Sequence, residues 1–269
     1  MEEERRFVLG LGHQKCGTSW LHKYLCQSDL FAEGYSKEFH VWDRLDIPVF
    51  ENSRSKFKLK HVFSKKRIQE YRMENSVDYY FDYFDNLMTA GKSLTADITP
   101  SYSGLKSKRL NQIKREFEKR SVGVKAVILI REPLSRIKSA VRFNLDREIY
   151  SEGMKEGERD FESALGEYYK SEHCLLRTNY QDIILEASEV FGEEEIYVGF
   201  YENMFEEGEV NRLSKVLGID AKSEFSAVYV NKTKSPVSKT KFDSEIRYFY
   251  ENTYNFINEK YPISKRLWL

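Results

Sequence analysis

One stretch near the amino terminus restricts this chain more than any other: Phe7-Val8-Leu9-Gly10-Leu11-Gly12-His13-Gln14-Lys15-Cys16-Gly17-Thr18-Ser19-Trp20-Leu21. A short apolar run enters a glycine-flanked loop with one lysine, two hydroxyl residues follow, and an amphipathic segment runs from Leu21 to Leu25. The order reads as strand, anion-cradling loop, helix. Glycine lets the backbone approach a ligand closely, and the N–H groups of a helix's first turn have no intrahelical acceptor. Those donors, the helix dipole and Lys15 together suit a phosphate or sulfate. The alternative is an ordinary βα turn with a surface lysine. The placement of Gly, Lys, Gly and Thr-Ser where an anion needs them weighs against it.

Composition narrows the class. A chain of 269 residues can bury a sizeable core, and 41% hydrophobic with 32% charged residues is the balance of a globular protein. Forty-three basic residues offset 43 acidic ones, which argues against a dedicated nucleic-acid binder but leaves room for a local basic cleft. Cys16, Cys26 and Cys174 form neither a disulfide framework nor a metal-ligand spacing, so a reducing compartment and no metal are expected. The start, Met1-Glu2-Glu3-Glu4, lacks the basic and apolar regions of a signal peptide. No apolar run approaches the ~20 residues that span a bilayer. The expectation is a cytoplasmic protein without a membrane span.

Taken in order, the chain next offers Tyr35-Ser36-Lys37-Glu38-Phe39-His40-Val41-Trp42, close behind the loop. In a doubly wound sheet, segments leaving neighbouring strands converge on one crevice. Glu38 and His40 are therefore the first general-base candidates, set against a plain surface loop. Residues 54–67 carry seven basic and no acidic residues, which is a solvated face or an attractor of anionic substrate. Val77, Tyr80, Phe81, Phe84, Leu87 and Met88 mark a core-facing helix after Ser76. Ser93–Ser103 reads as a short strand running into a polar loop, and Lys106 to Phe117 reads as a basic helix.

Val124–Ile130 is a short, apolar, β-branched run, a buried strand ending at Arg131. Pro133 then suits the first turn of a helix reaching about Arg147. Arg131 at the strand's carboxyl end, with Ser139 two turns into the helix, suggests a second anion site. Residues 151–160 read as a mobile loop, helices follow over about 161–170 and 178–190, and Glu195–Phe200 is another strand. A helix from about Glu209 to Leu217 closes at Gly218, a basic hydroxyl-rich loop covers 231–241, and one last helix runs over about 242–259. This pattern predicts an α/β fold, P-loop-like and three-layered, with a central, mainly parallel sheet flanked by helices in one domain over 1–269.

The loop differs from the phosphate loop of nucleoside triphosphatases, G-x-x-x-x-G-K-[ST], because Lys15 precedes Gly17 rather than following it. The central strand ends in Arg131 where such enzymes hold a metal-binding aspartate. Both departures count against a P-loop-like nucleotide kinase or hydrolase. Gly12–Trp20 instead resembles the 5′-phosphosulfate loop of sulfotransferases that use 3′-phosphoadenosine 5′-phosphosulfate (PAPS). Ile130–Ser139 resembles their 3′-phosphate motif, an arginine with a serine eight positions on. Lys37-Glu38-Phe39-His40 and Asp97-Ile98-Thr99-Pro100-Ser101-Tyr102 are similar to segments of the heparan-sulfate-type, carbohydrate-modifying branch, over roughly residues 6–240 in the family's order.

That resemblance implies a sulfotransferase moving a sulfuryl group from PAPS to a hydroxyl or amine acceptor, a glycan or other small compound, by in-line displacement. It implies donor contacts from Lys15, Cys16, Gly17, Thr18, Ser19 and Trp20, the last near the adenine, and 3′-phosphate contacts from Arg131 and Ser139. Glu38 is the implied base, with His40 and His13 in reserve, since histidine serves in the aryl and steroid branch. Asn231-Lys232-Thr233-Lys234 resembles the start of the family's late nucleotide loop, without its cysteine pair and the glycine after the lysine. A binding module of the same fold without activity is the non-enzymatic alternative.

Overall fold

The computed structural model describes residues 4–54, 64–89, 91–222, 224–225 and 239–268. Strand β1 (Arg5–Gly10) runs into the loop and helix α1 (Thr18–Leu25). A short helix α2 (Trp42–Asp46) and a 3-10 turn (Pro48–Ser53) follow, then α3 (Lys65–Asn75) and α4 (Val77–Leu87). Strand β2 (Leu94–Ile98) ends in a second 3-10 turn (Pro100–Gly104), and α5 (Ser107–Glu118) leads to β3 (Val122–Ile130) and α6 (Pro133–Asp146). Helices α7 (Phe161–Tyr168), α8 (Glu172–Leu176) and α9 (Tyr180–Ser188) precede β4 (Ile196–Phe200) and α10 (Glu207–Leu217). Helices α11 (Asp243–Phe249), α12 (Glu251–Lys260) and α13 (Ser264–Leu267) complete the described chain.

The four strands among the described residues form a parallel sheet in the order β2-β1-β3-β4. Period-two alternation sorts its side chains into two layers. Phe7, Leu9, Val124, Ala126, Ile128, Ile130, Val198 and Phe200 face one core with residues of α4, α5, α9 and α12. Val8, Leu94, Ala96, Ile98, Val127, Leu129 and Tyr197 face the other, under α1 and α10. The three-layered α/β expectation is met. A satellite core of Leu134, Ile137, Val141, Ala164, Leu165, Tyr168 and Ile246 joins α6, α7 and α11 and anchors the helix that follows β3. Among the described residues, no helix is long and apolar enough to cross a membrane.

Three local expectations change. The last helix is two, because it breaks at Tyr250, whose hydroxyl is buried and donates to the Tyr169 carbonyl at 2.6 Å. Residues 151–160 are pinned by Glu152, which accepts two hydrogen bonds from Arg177, and by buried Met154. Helix α3, at the end of the basic run, is an addition to the sequence reading. It buries only Met73, which leaves almost no apolar stripe to read. The central part of that run, 55–63, lies outside the described residues.

Candidate active site

The sheet order puts the switch in chain direction between β1 and β3, the place where a crevice opens beyond the carboxyl ends of parallel strands. A cleft of about 320 Å³ lies there, lined on the β1 side by Gln14, Lys15, Gly17, Thr18, Ser19 and Trp20. Gly17 caps α1 at φ 95°, a left-handed conformation, and offers no side-chain acceptor to the helix start. A Cβ there would lie 2.6 Å from the Met204 sulfur. The first turn of α1 thus presents its N–H groups without a side-chain cap, which is the property an anion exploits.

Lys15 has φ 69° and holds its ammonium 4.2 Å over the Phe143 ring. Burial and the charges of Arg131 and Arg147 push its pKa down. Arg131, one residue beyond β3, donates to the Lys15 carbonyl at 3.4 Å and stacks over Tyr201 at 4.3 Å. Its own carbonyl accepts from Tyr180. Helix α6 starts with Pro133, its first turn capped by the Glu132 carboxylate on the Ser135 N–H, and brings Ser139 to the cleft wall.

The third wall comes from the segment after α1. Ile98 N–H donates to the Lys37 carbonyl, Phe39 N–H to Thr99 Oγ1 at 3.0 Å, and Val41 N–H to the Tyr102 hydroxyl. Beneath them Asp97 is fully buried and accepts from Thr99, Tyr80 and Tyr102 at 2.6, 2.9 and 2.8 Å. Burial lifts its pKa to about 6 against the pull of those donors. So fixed, the segment aims Glu38 and His40 into the cleft.

The carboxylate of Glu38 lies 2.6 Å from the Lys37 ammonium and 3.2 Å from His40 Nε2. His40 Nδ1 lies 2.7 Å from Asp43, which also accepts from Ser101. Burial works against ionisation of Glu38, yet the His40 and Lys37 bonds prevail and hold it at about 2. Burial likewise opposes protonation of His40, and the Asp43 and Glu38 carboxylates overcome it to raise the imidazole to about 9. At neutral pH the arrangement is a carboxylate held between two cations.

Several sequence candidates stand apart from this chemistry. The Cys16 side chain is buried away from the cleft, its N–H bonded to the His13 carbonyl, and burial raises its thiol to about 12. Trp20 borders the cleft, but its ring is buried and stacks on Tyr24 at 5.1 Å. His13 is buried against Tyr180, its pKa pushed down to about 3 by burial. Lys232, Thr233 and Lys234 lie outside the described residues. Phe143, Glu152, Arg177 and Tyr201 line the cleft in addition to the sequence candidates. Lys37 and Asp43 carry a local signal, adjacency to Glu38 and i, i+3 spacing to His40. Arg177 and Glu152 carry none.

The overall architecture is shared with solved proteins. It is similar to a sulfotransferase from Alicyclobacillus acidocaldarius, at 19% identity over 95% of each chain and a TM-score of 0.60. A sulfotransferase domain of the Synechococcus PCC 7002 olefin synthase matches at 14% identity, over 86% of this chain and 80% of that one, with a TM-score of 0.50. A Mycobacterium avium sulfotransferase matches at 15% identity, over 94% and 76%, with a TM-score of 0.50. No curated protein matches the sequence. The family model described as a sulfotransferase domain matches residues 6–254, nearly the whole chain, and this match settles the family: the chain belongs to the sulfotransferases, enzymes of sulfuryl transfer.

Proposed function

We propose that this sulfotransferase takes its sulfuryl group from PAPS and passes it to a hydroxyl or amine, on a carbohydrate, by a single in-line displacement. The observation that carries the reading is the convergence of Lys15, Thr18 and Ser19 after β1 with Arg131 and Ser139 after β3 in one cleft that Glu38 also lines. The half-buried, cation-rich floor suits a doubly anionic nucleotide. Lys15 and the N–H groups at the start of α1 meet the charge that develops on the leaving 5′-phosphate. Fixed donors aimed at developing charge commonly account for more of an enzyme's rate gain than any other single effect. Arg131 and Ser139 hold the 3′-phosphate. Glu38 takes the acceptor's proton, with His40 orienting the carboxylate through its bond to Asp43.

The carbohydrate preference rests on the likeness of the Lys37–His40 and Asp97–Tyr102 segments to the glycan-modifying branch. Three free cysteines support a reducing, cytoplasmic setting. Calorimetric binding of 3′-phosphoadenosine 5′-phosphate (PAP) tests the donor half. Arg131→Ala removes a charged hydrogen-bonding partner worth ~1.5–3 kcal/mol, and PAP affinity is expected to fall ~10–100-fold. Transfer of labelled sulfate from PAPS across an acceptor panel tests the base. Glu38→Gln is expected to slow it by ~10²–10⁴-fold. Magnesium-dependent ATP turnover without PAP binding would sink the proposal, and a Glu38→Gln enzyme as fast as wild type beside an inactive His40→Ala would move the base to His40.

A further inference from the structure

Glu38, as the resting cleft holds it, is a poor proton acceptor, because Lys37 and His40 stabilise its charged form. Something has to loosen that hold when substrate arrives. Lys37 is the group placed to do so. Its ammonium lies 2.6 Å from a Glu38 oxygen and, on its other side, 3.3 Å from Thr18 Oγ1 and 3.5 Å from Ser19 Oγ. Thr18 and Ser19 are the first two residues of α1, on the anion-binding face of the loop. The lysine therefore bridges the proton acceptor and the donor pocket, with its side chain about one-fifth exposed.

Building on the proposed PAPS reaction, we infer that Lys37 is a second catalytic cation: it leaves Glu38 for a sulfuryl oxygen of the bound donor, and so couples occupancy of the donor site to release of the base. The step balances without further reactants. A lone pair of the acceptor oxygen or nitrogen forms the bond to sulfur, and the bond from sulfur to the 5′-phosphate oxygen breaks with its pair on that oxygen. The acceptor's proton passes to Glu38. Lys37 and Lys15 offset the negative charge at the two ends of the transferring group. Glu38 gains basicity as the ammonium moves away, since an opposite charge within ~4–6 Å favours the ionised form. The other groups facing Glu38 are His40, backed by Asp43, and His22 of α1, which is 3.5 Å from Glu33. None of these contacts a donor-loop hydroxyl in the way Lys37 does.

The test uses Lys37→Met and Lys37→Arg in the full chain, with PAP binding measured first. Wild-type enzyme that binds no PAP would defeat the underlying donor assignment, whatever Lys37 does. Given binding, PAP affinity in Lys37→Met is expected to stay within ~3-fold, because PAP has no sulfuryl group. Single-turnover sulfate release from PAPS, with water as acceptor, is expected to fall ~10²-fold, the scale of losing one fixed donor to developing charge. Lys37→Arg is expected to recover part of that rate. In Lys37→Met the acid limb of kcat/KM for PAPS, which reports the free enzyme, should move to higher pH while that of kcat stays in place, whereas a lysine that remained paired with Glu38 would move both. The wild-type Lys37 15Nζ resonance, assigned through Lys37→Arg, should shift with PAPS and not with PAP. A Lys37→Met enzyme with wild-type turnover, a parallel loss of PAP affinity, or a resonance indifferent to PAPS would each overturn the inference.

Discussion

His40 sits at φ 54°, a backbone region that costs a non-glycine residue energy, and it is held there by bonds on both ring nitrogens. Its raised pKa has a definite sign in stability. A histidine at about 9 in the folded state and 6.5 unfolded contributes stability that is complete below pH 6.5 and lost as pH rises through about 9. The melting-temperature gap between wild type and His40→Gln should therefore be widest near pH 6 and close by pH 10, as thermal scans over that range can score. Residues of this kind are legible in the sequence when their partners are local. Glu38 and His40 are visible as a pair, and Asp43 is within reach by spacing. Lys37 stands in the same motif, but its role depends on reaching Thr18 and Ser19, 19 and 18 residues away. The closure of Arg177 on Glu152 spans 25 residues and leaves no local pattern.

Among the elements, the unit of strand, loop and helix is the most legible, since glycine and lysine chemistry dictates its shape. Gly17 shows the constraint. With φ 95° and Met204 against its open side, any side chain there is strained and crowded. Gly17→Ala is expected to cost ~1–3 kcal/mol in chemical denaturation and to weaken PAP binding through displaced N–H groups. Helix α6 is equally legible, with proline first and an apolar stripe behind it. Helices α3 and α8 are not. One buries a single residue and the other has five residues in all, so neither offers periodicity to detect. The break at Tyr250 is hidden for a different reason: the apolar stripe runs through it, and only a partner across the satellite core, the Tyr169 carbonyl, reveals the division.

Across the whole molecule, the cleft depends on helices far from it in sequence. Ion pairs from Arg247 to Glu132 and from Lys138 to Asp243 fasten α6 to α11, and Arg177 closes on Glu152 at 2.7 and 2.8 Å. Arg177 and Glu152 are largely withdrawn from water, so each needs the other. Removing Arg177 alone strands a carboxylate, and Arg177→Ala is expected to cost ~3 kcal/mol, while the Arg177→Ala/Glu152→Ala double variant should regain part of that loss. A denaturant double-mutant cycle measures the difference.

Strands β1 and β3 are adjacent hydrogen-bonded neighbours, and each leads at its carboxyl end into one of the two proposed anion sites. Parallel neighbours lie ~4.8 Å apart, a spacing that backbone hydrogen bonds hold rigid and side chains cannot adjust. The sheet thus acts as a caliper for the donor. Its jaws are two strand ends, and the proposed donor bears anionic groups on both sides of one ribose. Changing the donor would mean re-spacing the sheet, whereas changing the acceptor asks only for new side chains on the wall opposite the strand ends. Sequence change in this lineage should be slow at the jaws and quick on the opposite wall.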